Sequence, residues 1–371
     1  MARGGASVLL LAALLAACAS GPDKPKPKPL EPVSAPIAGR QVWSQRIASV
    51  DFPLAVATNG GVFTVAGGDG TVVALQADSG REVWRADAGA KLGAGVGSDG
   101  RFAAVVTREG DLVVLDAGKA AWRKALGTRV TTAPLVAGER VFVLGVDRTV
   151  QAFDALDGRK LWTLKRPGDP LTLSQAGLLM AFKDTLVAGQ GPRITGIDPL
   201  RGTVRWDVPI ATPRGTNEVE RLADVVAPAT RIGDTVCARA FQAAVGCVNA
   251  ERGNLLWTKV VGGTEGVAAD DQVVVGADAS DRLAAWRTAS GEAAWSSEKL
   301  MYRGLGAPLA VGPTVVFGDA EGFVHWLSRD RGETALRLPT DGSAVVAAPA
   351  VLGTTMLVVT KNGGLFAFRP E

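Results

Sequence analysis

The sequence predicts an all-β fold, an eight-bladed β-propeller, from three observations: a repeat near 40 residues, hairpin grammar within each repeat, and chain ends that complete one another. The repeat is a Gly with a Trp four residues later. It reads Gly39-Arg-Gln-Val-Trp43, Gly80-Arg-Glu-Val-Trp84, Gly118-Lys-Ala-Ala-Trp122 and Gly158-Arg-Lys-Leu-Trp162. It continues as Gly202-Thr-Val-Arg-Trp206, Gly253-Asn-Leu-Leu-Trp257 and Gly291-Glu-Ala-Ala-Trp295, then degrades to Gly332-Glu-Thr-Ala-Leu336. Successive glycines lie 41, 38, 40, 44, 51, 38 and 41 residues apart.

Within each unit, two β-rich runs are split by a turn: 62–66 and 71–75 around Gly67-Gly-Asp-Gly70, with equivalents at 102–107 with 112–115, 141–144 with 150–153, and 315–317 with 323–327. Such pairs read as hairpins. A turn rich in Asp and Gly follows, then the Trp-bearing outer strand. Ala-Pro opens several units, at Pro134, Pro228, Pro308 and Pro349, and Pro is tolerated where a strand starts. Trp43 is an outer strand with no hairpin before it, and 356–368 is a hairpin with no outer strand after it. Joined, they make one blade from both termini and close the ring, leaving no long open edge. The anchors Trp43, Trp84, Trp122, Trp162, Trp206, Trp257 and Trp295 are read as wedges between sheets rather than ligand-stacking groups. A buried Trp covers ~150–250 Å², a gross gain of roughly 4–6 kcal/mol.

Composition fits a large core. Of 371 residues 47% are hydrophobic and 21% charged, and 46 Gly supply many tight turns. The formal charge of +3 falls to +2 without Arg3 (39 basic minus 37 acidic), a balance that gives no warrant for nucleic-acid binding, which normally needs a concentrated basic face.

Residues 1–17 read as an export signal: Arg3, a short apolar run over 8–17, then Leu15-Ala-Ala-Cys18. The run is too short to span a bilayer. Small residues before Cys18 resemble a lipobox, which implies acylation of that thiol and a stable membrane anchor. Ala19-Ser20, with no Asp directly after the Cys, resembles the pattern sorted to the outer membrane. Residues 18–38 form a Lys/Pro-rich linker, read either as a semi-rigid polyproline spacer or as a basic contact for anionic lipid heads, and residues 39–371 form the propeller.

The pattern Ala152-Phe-Asp154, Gly158, Trp162 looks like the repeat of quinoprotein-type propellers. More specifically, the chain resembles the BamB family of outer-membrane barrel-assembly lipoproteins in its leader and in two motifs. These are Gly318-Asp-Ala-Glu-Gly-Phe-Val-His-Trp326 and Thr216-Asn-Glu-Val-Glu-Arg-Leu-Ala-Asp224. The resemblance implies a periplasm-facing outer-membrane scaffold, monomeric within a hetero-complex, that binds a BamA-like barrel protein and needs no cofactor.

The segment ending at Asp224 lies in the 51-residue interval, longer than a blade requires, and surplus loops often carry function. Glu218, Arg221 and Asp224 there, with Leu171, Leu173 and Ser174 on a second loop matched by the resemblance, are the expected partner surface. Two exposed leucines beside a charged loop would make an apolar anchor with a polar rim. Ser174 stands where the family has Arg, and Val226 where it has a second Asp, so the contact chemistry differs even if its location holds.

Catalysis finds little support. The single His325 cannot make a multi-His metal site, acidic residues sit in repeat turns where Asx chemistry explains them, and no nucleophile–base set or phosphate-cradling loop is present. The alternative is a quinoprotein-like propeller that binds PQQ or another small ligand in its central channel. Finally, Cys237 and Cys247 lie on two arms of one hairpin. A two-residue turn at Gln242-Ala243 pairs Cys237 with Val248 and separates the thiols, whereas a bulge at Ala243 or Ala244 restores the match. The sequence leaves both open.

Overall fold

The central strands of each repeat carry nearly unbroken apolar runs, as expected where both sheet faces are covered. Strands Phe102–Thr107 and Thr355–Val359 are buried at every position. The outer strands are mixed and mostly exposed, as in Lys119–Ala125. In the computed structural model, which describes residues 25–34, 36–166, 171–213 and 215–371, these strands make eight four-stranded antiparallel sheets. Blades 1 to 7 follow in chain order, each from an inner channel-lining strand to an outer one. Blade 8 is built from both ends: strand Gly39–Arg46 pairs with Gly364–Pro370, from Gly39↔Pro370 to Arg46↔Gly364. The eight-bladed ring and its closure are as the repeat predicts. The leader 1–17, Cys18 and Arg214 lie outside the described residues.

The Gly…Trp spacing has a geometric cause that crosses blades. Each indole lies not on its own Gly but on that of the following blade. A Cβ built on Gly80 would sit 2.6 Å from Trp43, one on Gly158 2.6 Å from Trp122, and one on Gly291 2.7 Å from Trp257. These glycines also have φ of 68°, 70° and 71°, a region that penalises a Cβ. The indole N–H reaches into the same turn: Trp43 Nε1 donates to Ala77 O at 3.0 Å, Trp122 to Ala155 O at 2.8 Å and Trp295 to Arg329 O at 2.7 Å. In every blade the ladder to the outer strand also skips the residue just before the anchor, as at Val83, Leu161 and Leu256. These bulges re-aim the next side chain.

At the seam between blades 7 and 8, Leu336 takes the Trp position and faces Gly39, the first glycine of the series. The smaller side chain leaves an apolar cavity of about 300 Å³ lined by Val311, Trp326, Leu338, Val351, Met356 and Phe368, among others. Leu336→Trp is therefore expected to raise stability by about 0.5–2 kcal/mol, as cavity filling commonly does. Urea denaturation would show it, and an unchanged or lower midpoint would mean the seam cannot seat an indole.

Three details differ from expectation. Pro134, Pro308 and Pro349 precede their strands, but Pro228 lies inside strand Val225–Ile232, where the register breaks between Val226 and Thr230. The hairpin of blade 5 turns through three residues, Phe241, Gln242 and Ala243, with Ala240 opposite Ala244 and Gln242 at φ 51°. The added turn residue sets Cys237 opposite Cys247, and the two are disulfide-bonded. The two-residue turn weighed from the sequence is overturned by that register.

The linker also departs from the free-standing spacer. Lys28 N–H donates to Met301 O at 3.0 Å, Leu30 packs on the apolar cluster containing Leu300, Leu305 and Phe317, and Lys299 pairs with Glu31 at 3.0 Å. Residues 28–31 thus lie against blades 6 and 7. Leu30 gives this Lys/Pro segment one apolar side chain to bury, which its composition alone does not reveal.

Candidate functional site

The structure joins the two predicted loops through one carboxylate. The longer loop, between strands Val204–Pro209 and Val225–Ile232, is tied by its own side chains: Glu220 Oε2 accepts Thr216 N–H at 2.7 Å, and Asn217 Oδ1 accepts Glu220 N–H at 2.9 Å. Reciprocal bonds of this kind satisfy donors that a loop would otherwise leave open. The loop ends at Asp224. Its Oδ2 accepts Leu173 N–H at 3.2 Å, and its Oδ1 pairs with Arg148 Nη2 at 3.1 Å. Arg148 and Asp224 side chains are only 15% and 17% exposed, so this pair is screened less than a surface salt bridge.

Leu173 therefore sits beside Asp224. It lines a small cavity with Leu144, Arg148, Val225 and Val226. The expectation of two exposed leucines is corrected here: Leu171 and Leu173 are both half-buried, Leu173 because its backbone is drawn to Asp224. Val226, which replaces an acidic residue of the resembling motif, is buried at 1% exposure. A second carboxylate there would be desolvated, so an apolar residue suits this blade. Ser174 is exposed and lines the mouth of the central channel. Glu218 is exposed and Arg221 half-buried. Val219, 68% exposed, stands between the loop's charges. The residues that sequence reasoning missed are Arg148, which braces Asp224, and Gln175, whose amide donates to Thr264 O at 2.8 Å and ties this loop to the start of blade 6. Neither carries a motif signal, since both partners are remote in sequence.

The channel mouth is a cavity of about 770 Å³ whose walls are mainly Ala, Gly, Pro, Leu and Val. Its charged lining residues are Glu265 and Asp281, with no Lys, Arg, His or aromatic side chain among them. Burial raises both carboxyls above their ordinary range, while backbone N–H groups of Gly304 and Leu305 hold Asp281 partly down. Acidic walls with no cation and no stacking ring do not fit PQQ, a planar polycarboxylate. No group of three or more His, Cys, Asp or Glu able to hold a metal occurs among the described residues.

The second resemblance motif forms a buried network instead. Asp319, fully buried, accepts Arg303 Nε–H at 2.8 Å and His325 Nε2–H at 2.9 Å, while Arg337 Nε donates to His325 Nδ1 at 3.3 Å. Arg303 Nη2 also pairs with Glu321 at 2.5 Å. These partners fix the His325 tautomer, and burial lowers its pKa from the ordinary value, keeping the ring neutral. His325 is a satisfied structural imidazole.

Ring closure, blade repeat and channel define the class: an eight-bladed propeller of the quinoprotein type whose described channel residues do not suit the quinone. A family model described as outer membrane protein assembly factor BamB matches residues 33–91 and 68–297. The BamB of Burkholderia pseudomallei is 39% identical over 100% of this chain and 99% of its own length, and that of Bordetella pertussis 34% over 98% and 96%. The crystal structure of BamB from Moraxella catarrhalis superposes with a TM-score of 0.81 at 23% identity, covering 90% of this chain and 100% of that one. Quinohemoprotein alcohol dehydrogenase from Comamonas testosteroni shares the fold at a TM-score of 0.66 and 17% identity, covering 89% and 76%. The chain belongs to the BamB family of outer membrane protein assembly factors.

Proposed function

We propose that this chain is a non-catalytic scaffold of outer-membrane barrel assembly, lipid-anchored through Cys18 and facing the periplasm. It binds the periplasmic POTRA region of a BamA-like barrel protein through Leu171, Leu173, Ser174, Glu218, Arg221 and Asp224, as a monomer within a hetero-complex. Family membership supports the assembly role. The observation that carries the surface is Asp224, which couples two loops 51 residues apart and pre-forms their relative position. A pre-ordered surface loses less entropy on binding than two independent loops. The leader and lipobox support the anchor.

Changing Leu171 and Leu173 together to Asp is expected to lower recovery of the barrel protein in co-purification by about tenfold or more, the scale of hot-spot loss. Circular dichroism should show that the β signal persists. Unchanged recovery from a folded variant would move the interface elsewhere on the ring.

A further inference from the structure

The Gly318–Trp326 motif does more than fill blade 7. Two of the arginines its buried core orients each spend one guanidinium N–H on the linker backbone. Arg303 Nη1 donates to Lys28 O at 3.2 Å, and Arg337 Nη1 donates to Glu31 O at 3.0 Å. Arg303 is 3% exposed and held by Asp319, and Arg337 is held against His325 Nδ1. Both donors are thus pre-aimed at carbonyls, a contact that reads backbone position rather than side-chain identity. The Lys28 amide, Leu30 and Glu31 complete the seat with Met301, the apolar cluster under Leu305 and Lys299.

We infer that residues 28–31 are a strap seated on the flank of blades 6 and 7, and that this seat turns that flank toward the membrane. The inference rests on the lipid anchor at Cys18 proposed above. Its force lies in chain length. From Cys18 to the first propeller strand at Gly39 is 21 residues (39 − 18), a reach of about 75 Å, which would leave the ring free to present any side. From Cys18 to Lys28 is 10 residues (28 − 18), a reach of about 35 Å. Seating the strap halves the tether and fixes which blades lie nearest its origin. Blade 2, opposite blade 6 in a ring of eight, then faces away.

The test uses the full lipidated chain on phospholipid vesicles. Hydrogen exchange reads the Lys28 amide, and a fluorophore at Glu298→Cys (blade 6) or Lys124→Cys (blade 2) reads proximity to a lipid-borne quencher. The wild type should protect the Lys28 amide at least tenfold and quench the blade 6 probe at least twofold more than the blade 2 probe. Leu30→Asp, a change in the strap that leaves the ring's own residues intact, should abolish both differences. A Lys28 amide exchanging at the free-peptide rate, or equal quenching on the two flanks of a chain whose mass shows acylation, would overturn the inference. A mass without acyl chains would instead overturn the anchor reading, and the exchange measurement would still decide the seat.

Discussion

Replacing Asp319 with alanine is expected to cost the ring about 3–5 kcal/mol, the penalty for removing one partner of a buried ion pair. The carboxylate serves four donors at once: Arg303 and His325 through Oδ2, and the Glu321 and Phe323 amides through Oδ1. Without it the Arg303 guanidinium stays buried with only Glu321 as an anionic partner, and the hairpin turn loses two bonds. Urea denaturation followed by tryptophan fluorescence reads the loss, and a change below about 1 kcal/mol would show that water or Glu321 substitutes for the carboxylate. Acidification probes the same network with a definite sign. Burial lowers the His325 pKa below its ordinary 6.5. The unfolded chain therefore takes up that proton first, so this share of stability is present above pH 6.5 and is lost as pH falls through the window below it.

Trp257→Ala is expected to cost about 3–5 kcal/mol, the range for emptying a Trp site in a core. Trp257 is the most buried of the repeat anchors, at 7% exposure. Its ring covers Gly291 of blade 6, and its Nε1 donates to Thr288 O at 2.7 Å. The variant empties the seam and leaves that carbonyl without its donor. Thermal unfolding by circular dichroism checks it, and a loss under about 1 kcal/mol would mean the neighbouring blade collapses onto the gap.

The blade count was legible because two local signals repeat in phase. A Gly with a Trp four residues later recurs seven times, six of them with the Gly at a left-handed turn and the Trp on the strand after it, and each apolar run has the length of a strand. Closure was legible from Trp43 and the terminal hairpin. Sequence does not reveal that each Trp serves the next blade's Gly, because within one repeat the two residues look like partners. Nor does it expose contacts whose ends lie far apart, such as Arg303 with Lys28 or Asp224 with Arg148. Leu173 was given the wrong exposure, since burial there depends on a backbone bond to a residue 51 positions away. The cysteine register turned on one residue of turn length, which periodicity alone does not count.

The skipped residue ahead of each anchor has a consequence for solubility. A ring of eight sheets presents eight outer rims, each offering free amides and carbonyls to any passing strand, and flat rims of that kind template fibrils. The kink at Val83, Leu161 and Leu256 interrupts the even spacing of those groups and increases local twist. Rings that meet edge to edge therefore present rims whose even hydrogen-bond spacing is broken, so the feature that seats the indole on the next blade also disfavours zipping of one rim along another.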